Sequence, residues 1–430
     1  MAAVSPVLLI TPRLHSPKAL RTSGEHEPHL RCYEPGQLLH ACVAGSANSG
    51  TTGTQWIAAW GTAMHEAMPL NASNFSCRNA ERVSADGTQI RIRLTNQFVR
   101  TPTTFNRVTV AQRGTDSTIV PATLHEVTFG GQRVVTIPAD GEVFSDPVPM
   151  PVTAGEQLAV SVFSAGSVTE YPNHELGLVG EYCTDFGGGA GDHTSDPGPY
   201  PGRGINVAWV SGIEVAGGHT TGAVIVLGDS VADGAHATVN TFSTWPDVLS
   251  RRLQAAGTPL SVVNEGVAGN ALITPGGVGP TAAQRFDRDV LGHNGARTVI
   301  IAEGSNDLYL GTDATTLIDG LEQLADRAHA AGLRVIGATV TPRRGGWFGD
   351  DDAKDTNRVQ VNQYIRTDDH FDAIIDFDAI VRNTDPNYPH SGAPGYQNWL
   401  NPAWDSGDRI HPNDSGYALM ANSIDLSTLN

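Results

Sequence analysis

The chain is poor in the residues that several large protein classes require. It contains no run of about eighteen apolar residues, so no segment reads as a membrane-spanning helix. Cysteine is scarce, with four in 430 residues (Cys32, Cys42, Cys77 and Cys183) and no CxxC pair. Zinc-ligand spacing is therefore absent. Nothing beyond Cys183 carries a thiol, which excludes a cysteine nucleophile from the C-terminal half. Cys77 and Cys183 fall in one region and read equally as a disulfide or as two buried thiols. Charged residues make up only 17%, and acids outnumber bases to a net charge of −18. A field of that sign disfavours nucleic acid or an anionic membrane surface as a partner. Gly276, Gly277 and Gly279 lack the following Lys-Ser/Thr of a phosphate loop and read as plain loop. Asp350, Asp351, Asp352 and Asp355 lack the turn glycine of an EF-hand and read as a solvated acidic loop. None of these patterns points to a metal site.

What is plentiful is glycine, 48 residues, and proline, 26, beside 40% hydrophobic residues. That mix describes a turn-rich globular protein, not a coiled coil or a disordered chain. The length is too great for one ordinary core, so two domains are expected. Residues 1–53 read as a poorly ordered leader that ends in a Gly/Ser/Thr linker. The apolar stretch at Val7 and Ile10 is too short for a signal h-region and has no preceding Lys or Arg.

Residues 54–218 read as an all-β accessory domain, a sandwich or jelly-roll-like fold. Strands are expected at 89–94, 107–111, 133–137 and 157–163, separated by turn signals such as Gly130-Gly131 and Asp140-Gly141. Residues 187–204 are Gly/Pro-rich and read as an irregular loop. From 219 to 430 the rhythm changes. Strands at 223–227, 260–264, 298–302, 334–340 and 373–377 alternate with helices at 245–256, 317–331, 357–366 and 416–424. Such alternation implies right-handed crossovers and a mostly parallel sheet. Reactive groups then gather at the C-terminal ends of the strands.

The distinctive residues lie at those ends. Ser230 follows the first strand, Asn264 to Asn270 the second and Gly304 to Asp307 the third; Asp408 and His411 precede the last helix. A serine hydroxyl is a poor nucleophile until a base takes its proton. His411 is suited to that role, and Asp408, three residues earlier, to orienting the imidazole. Attack on an ester creates an oxyanion, which the Ser230 and Gly269 N–H groups and the Asn306 amide could receive. The GxSxG elbow of α/β-hydrolases is missing, because Ala232 stands where the second glycine would be.

Together these blocks resemble the SGNH (GDSL) hydrolase family: Gly228-Asp229-Ser230 with Asp233-Gly234, then Asn264 to Gly269, then Gly304, Asn306 and Asp307, then Asp408 and His411. The resemblance covers residues 222–426. It implies a flavodoxin-like three-layer α/β/α domain with a parallel sheet, a serine esterase mechanism without cofactor, and an oxyanion hole from Ser230, Gly269 and Asn306. It also implies export to the periplasm or beyond. Trp56 to Gly61 and residues 89–96 resemble the β-domain that precedes the hydrolase domain in a subset of bacterial members. Two departures concern packing near the pocket: Val231-Ala232 after the serine, and Ser305 in the third block.

Other residues receive blander readings. Asp229 anchors the turn, and Asp307 caps the turn that follows it. The other fourteen histidines, His236 included, are structural or surface. Trp56 and Trp60 belong to the core. Trp347, Phe348, Trp399 and Trp404 stand on long loops that lead to the catalytic pair, and Trp347 and Trp404 are candidate substrate contacts. The expected function is a serine-dependent carboxylic-ester hydrolase with a small-molecule ester substrate and a preference for short acyl groups. The rivals are a carbohydrate acetylesterase acting on an acylated carbohydrate, a lysophospholipase-like lipase, and a surface-binding module beside a relic hydrolase. The oligomeric state is left open.

Overall fold

Alternation in the first half builds antiparallel sheets. The computed structural model describes residues 54–184, 186, 189–346, 352–387 and 398–430; the leader and Trp347 lie outside them. The principal strands of the first half are β1 (Trp56–Gly61), β2 (Glu66–Arg82), β3 (Gln89–Thr95), β4 (Arg107–Gln112), β5 (Gln157–His174) and β6 (Val210–Ala216). One sheet runs β1, β6, β3 and the short strand Glu142–Phe144. A second runs Gly202–Gly204, Glu181–Cys183, β2, β5, β4 and His125–Val127, with Val207–Ala208 also paired to β5, and Thr103–Phe105 pairs with Val135–Ile137 in a small third. All three contribute to one core, in which Trp209 packs 5.9 Å from Phe75 and 5.6 Å from Phe105, ring centre to ring centre.

The long β2–β5 ribbon has no counterpart in the expected strands, which included only the first part of β5. Its pairing runs from Arg82↔Gln157 to Glu66↔Asn173, with register shifts between Pro69 and Ala72 and again between Ser73 and Phe75. Asn74 lies at φ 49° within that second shift. Two irregularities, a proline and a run of buried residues erase the period of two that marks a strand.

The second half is a three-layer α/β/α domain. Its strands β7 (Gly222–Gly228), β8 (Leu260–Gly266), β9 (Ala296–Ala302), β10 (Arg334–Ala338) and β11 (Ala373–Ile375) are all parallel, in the order β8-β7-β9-β10-β11. In chain order this is 2-1-3-4-5, the flavodoxin-like arrangement. Every residue of β7 is buried, as a strand covered on both faces must be. Val224 and Val226 join one apolar cluster with Trp245, Leu249, Tyr417 and Met420, whereas Ile225 and Leu227 join the other with Leu317, Leu321 and Leu324. The helices are α1 (Ser230–Asp233), α2 (Trp245–Ala256), α3 (Ala282–Phe286), α4 (Ser305–Leu310), α5 (Ala314–Ala330), α6 (Asp352–Thr367), α7 (Phe377–Val381) and α8 (Asp414–Ser423). Of the acidic residues expected in a solvated loop, Asp350 and Asp351 lie outside the described residues, whereas Asp352 and Asp355 stand in α6, where Asp355 is buried and accepts from Arg358 at 3.0 Å. A cationic neighbour within the same helix makes that burial tolerable.

β8 is an edge strand, and the first half covers it. The Val262 N–H donates to the Ser84 hydroxyl at 3.1 Å, and the Ser261 hydroxyl donates to the Ala58 carbonyl at 2.6 Å. The Ala58 N–H reaches the Asn294 carbonyl at 2.9 Å. Edge groups that would otherwise invite pairing with another chain are satisfied internally. The residues from 53 onward accordingly form one compact unit.

Candidate active site

In a 2-1-3-4-5 sheet the crevice opens where the strand order reverses, beyond the ends of the first and third strands. Here that means beyond β7 and β9. β7 ends at Gly228, where a Cβ would come within 2.4 Å of Ala232 Cβ and 3.0 Å of the Ala302 carbonyl oxygen. Asp229 then caps α1, its carboxylate accepting the Val231 N–H at 2.9 Å, and Ser230 is the first residue of that helix. The expected turn-anchoring role of Asp229 matches this geometry.

Ser230 Oγ lies 2.8 Å from His411 Nε2, and His411 Nδ1 lies 2.6 Å from Asp408 Oδ2. The other Asp408 oxygen accepts the Ile410 and His411 N–H groups at 2.9 and 2.8 Å. The turn that carries the pair is held by Asp405, which accepts the Gly407 and Arg409 N–H groups at 2.8 and 2.9 Å, with Arg409 at φ 65°. A short Asx-type turn of this kind is what brings an acid and a histidine three residues apart into contact. Burial alone would raise the Asp408 pKa, but hydrogen bonds from the His411 ring and from two amides outweigh it and hold the carboxyl well below the usual carboxylate range.

Gly269 and Asn306 line the same cavity as Ser230 and His411, a space of about 380 Å³ walled by Val278, Tyr309, Leu310 and Ile410. The Val267, Ala268 and Asn270 N–H groups are taken by Gly228 O, Asp233 Oδ2 and Val267 O. Those of Ser230 and Gly269 have no acceptor among the described residues. Gly269 adopts φ 80°, and a Cβ there would meet Val278 Cγ2 at 2.7 Å, so both conformation and space call for glycine. Asn306 Nδ2 donates to the Asn270 carbonyl at 2.7 Å, leaving its second N–H for a ligand. Three donors at the mouth of one cavity, beside a serine whose proton faces a histidine, can stabilise a tetrahedral oxyanion.

Several residues do more than the sequence reading allowed. Asp307 does not cap the following turn; its buried carboxylate accepts the Leu272, Ile273 and Thr274 N–H groups at 2.7, 3.0 and 2.9 Å and so moors the loop after β8. His236 is not a bystander: its ring stacks on His411 at 5.3 Å, and its Nε2 is 3.3 Å from Asp408 Oδ2. Ligand atoms of His236, Asp408 and His411 lie close enough to hold a metal ion. An ion there would displace the hydrogen bond that orients the His411 ring. Gly276, Gly277 and Val278 of the glycine loop form a cavity wall, with the Val278 N–H bonded to Gly269 O at 2.9 Å. Ser305 anchors the cavity-lining Arg343, which donates to its hydroxyl at 2.8 Å. Trp404 does not line the cavity; it packs on the apolar cluster beneath α8. A tryptophan in the turn just before Asp405 finds more surface to bury there than at the pocket mouth. Trp347 falls outside the described residues.

Arg285, on α3, carried no signal in the sequence, where no helix was expected at 282–286. It is fully buried and donates to Gly228 O at 3.0 Å, Glu265 O at 2.7 Å and Asn270 Oδ1 at 2.9 Å, with Glu303 at 3.3 Å and Asp289 at 3.2 Å. One guanidinium thus ties together the ends of β7, β8 and β9. Burial, reinforced by the nearby Asp229 charge, pushes the Glu303 carboxyl well above its ordinary range.

The sheet order defines a flavodoxin-like α/β/α domain with a serine, a histidine and an acid at its crevice. The model of the GDSL-like Lipase/Acylhydrolase family matches residues 226–419, which form a GDSL-like lipase/acylhydrolase domain. Solved structures similar to the chain include the native aryl esterase of M. smegmatis (14% identity, 49% of this chain and 100% of that one, TM-score 0.38). Others are the lipase/acylhydrolase from Enterococcus faecalis (20%, 47% and 92%, 0.36) and a member of the lipolytic G-D-S-L family from Veillonella parvula DSM 2008 (19%, 47% and 94%, 0.34). No curated protein matches the chain. No helix of the described residues is long and apolar enough to cross a membrane.

Proposed function

We propose that the protein is a serine-dependent carboxylic-ester hydrolase. The observation that carries this reading is the continuous hydrogen-bond chain from Asp408 through His411 to Ser230 Oγ, opening on a cavity that also presents Gly269 and Asn306. His411 Nε2 takes the Ser230 proton as Oγ attacks the ester carbonyl. The carbonyl oxygen becomes an oxyanion held by the Ser230 and Gly269 N–H groups and the free N–H of Asn306. The imidazolium, steadied by Asp408, returns the proton to the leaving alcohol, and an acyl-enzyme remains. Water activated by the same histidine then releases the acid and regenerates Ser230. No step calls on a metal or an organic cofactor.

The acyl group is proposed to be short; Val278, Leu310 and Ile410 give the cavity of about 380 Å³ that holds Ser230 an apolar lining. Ser230→Ala should lower turnover of p-nitrophenyl acetate by at least about a thousandfold while leaving the circular-dichroism spectrum unchanged. Undiminished turnover in that variant would refute Ser230 as nucleophile. Across p-nitrophenyl acetate, butyrate, octanoate and palmitate, kcat/KM should fall steeply beyond butyrate; a flat or rising series would refute the short-chain preference.

A further inference from the structure

We infer that the β-half is a working part of the ester site, because its His174 positions the Gly269 oxyanion donor through Asp233. The inference rests on the reading of Ser230 as nucleophile and adds a role for a residue of the other half. His174 is the last residue of β5 and is buried, 3% exposed. Its Nδ1 is 2.9 Å from the Ala63 carbonyl and its Nε2 is 3.2 Å from Asp233 Oδ1. A carbonyl and a carboxylate can only accept, so both ring nitrogens carry hydrogen and the ring is an imidazolium facing a carboxylate. Neutral His65 sits edge-on at 5.8 Å, its Nε2 accepting the Glu175 N–H at 3.1 Å.

Asp233 closes α1, the helix that Ser230 opens. Its second oxygen, Oδ2, accepts the Ala268 N–H at 2.8 Å. Ala268 is the residue before Gly269, and both line the cavity. The Gly269 N–H is held in place by its neighbours: Ala268 by Asp233, Asn270 by Val267 O, and the Gly269 carbonyl by Val278. Of these tethers only the Asp233 one extends into the β-half. Both members of the His174–Asp233 pair have side chains 4% exposed. A buried ion pair is weak evidence for stability, since apolar replacement is often neutral or better. What the pair does here is fix the rotamer of a carboxylate whose other oxygen holds the oxyanion loop. His174 is therefore a positioning residue: it touches no reacting atom, and its effect is felt on the transition state.

The test uses the full chain with two substitutions of matched polarity. In His174→Asn the amide reaches only the Nδ1 position, keeping the Ala63 contact and losing Asp233. In His174→Gln the amide reaches the Nε2 position and can still donate to Asp233. With p-nitrophenyl acetate, His174→Asn should lower kcat at least about tenfold with KM within about twofold, a fraction of what a lost oxyanion donor costs. It should weaken inhibition by an alkyl trifluoromethyl ketone, whose adduct places an oxyanion in the hole, by the same factor. His174→Gln should recover most of both. If His174→Asn stays folded with kcat and ketone affinity within twofold of wild type, the inference is overturned. It is equally overturned if both variants lose activity alike, in step with a lower melting temperature, for that is a merely structural role. A wild-type protein without esterase activity, or an active Ser230→Ala, would instead overturn the underlying reading.

Discussion

Two acids close to the nucleophile are driven in opposite directions. Asp408 is held ionised by the groups that donate to it, and the stability this brings is present above its unfolded pKa and lost as pH falls toward its lower folded value. Asp229 has one backbone donor and little solvent, and burial pushes its pKa from 3.8 up to about 6 against the opposing pull of the Val231 N–H and the His411 and Arg343 charges. With the folded pKa above the unfolded one, the native state holds a proton that the unfolded chain has already released. Stability from this group therefore declines as pH rises from about 4 to 6, by roughly 2–3 kcal/mol. Asp229→Asn keeps an oxygen to cap Val231 but cannot ionise. Urea denaturation of this variant should show its stability rising relative to wild type across that window. Parallel curves for the two proteins between pH 4 and 6 would show that Asp229 does not titrate there.

At the scale of elements, the ends of β7, β8 and β9 must stay in register for Ser230, Gly269 and Asn306 to face one cavity, and Arg285 on α3 is what all three ends share. Arg285→Met fills most of the volume but takes the charged donor away from Gly228 O, Glu265 O and Asn270 Oδ1 and the cation away from buried Glu303 and Asp289. A loss of about 3–5 kcal/mol is expected, the usual consequence of removing one member of a buried charged set. A change below about 1 kcal/mol in chemical denaturation would show that the strand ends hold themselves. Why Arg285 escaped the sequence reading, when Ser230 and Asp408/His411 did not, is a matter of distance along the chain. The latter lie in short contiguous blocks beside strand and helix signals that the 2.0 and 3.6 periods make visible. Helix α2 was expected at 245–256 and is found as Trp245–Ala256. The Arg285–Gly228 bond spans 57 residues and the His174–Asp233 pair 59, and no local period encodes either. The same holds for the β2–β5 ribbon, whose strands are long and bulged and whose buried faces do not alternate. Asp307 was noticed but misassigned, because a capping acid and one that moors a distant loop look alike until the fold supplies the partner.

At the scale of the whole molecule, the two halves behave as parts of one unit, and the disulfide offers a way to test it. Cys77 of β2 and Cys183 are bonded across neighbouring strands, 106 residues apart in sequence. The closed loop holds all of β3, β4 and β5, so the bond constrains most of the β-half in the unfolded state. A loop of that length corresponds to about 4–5 kcal/mol in the chain-entropy account, with measured values commonly nearer 2–4. None of it lies in the hydrolase sheet. Yet the first half covers the edge strand β8 through Ser84 and Ala58, and reaches the loop before Gly269 through His174. Loss of the β-half would uncover that edge and release that loop. The Cys77→Ser/Cys183→Ser protein should therefore lose esterase activity at a lower urea concentration than wild type, and its far-ultraviolet transition should shift to the same lower midpoint. If the spectroscopic transition of the β-half moves while activity persists to the wild-type midpoint, the halves unfold independently, and the hydrolase domain does not depend on its partner.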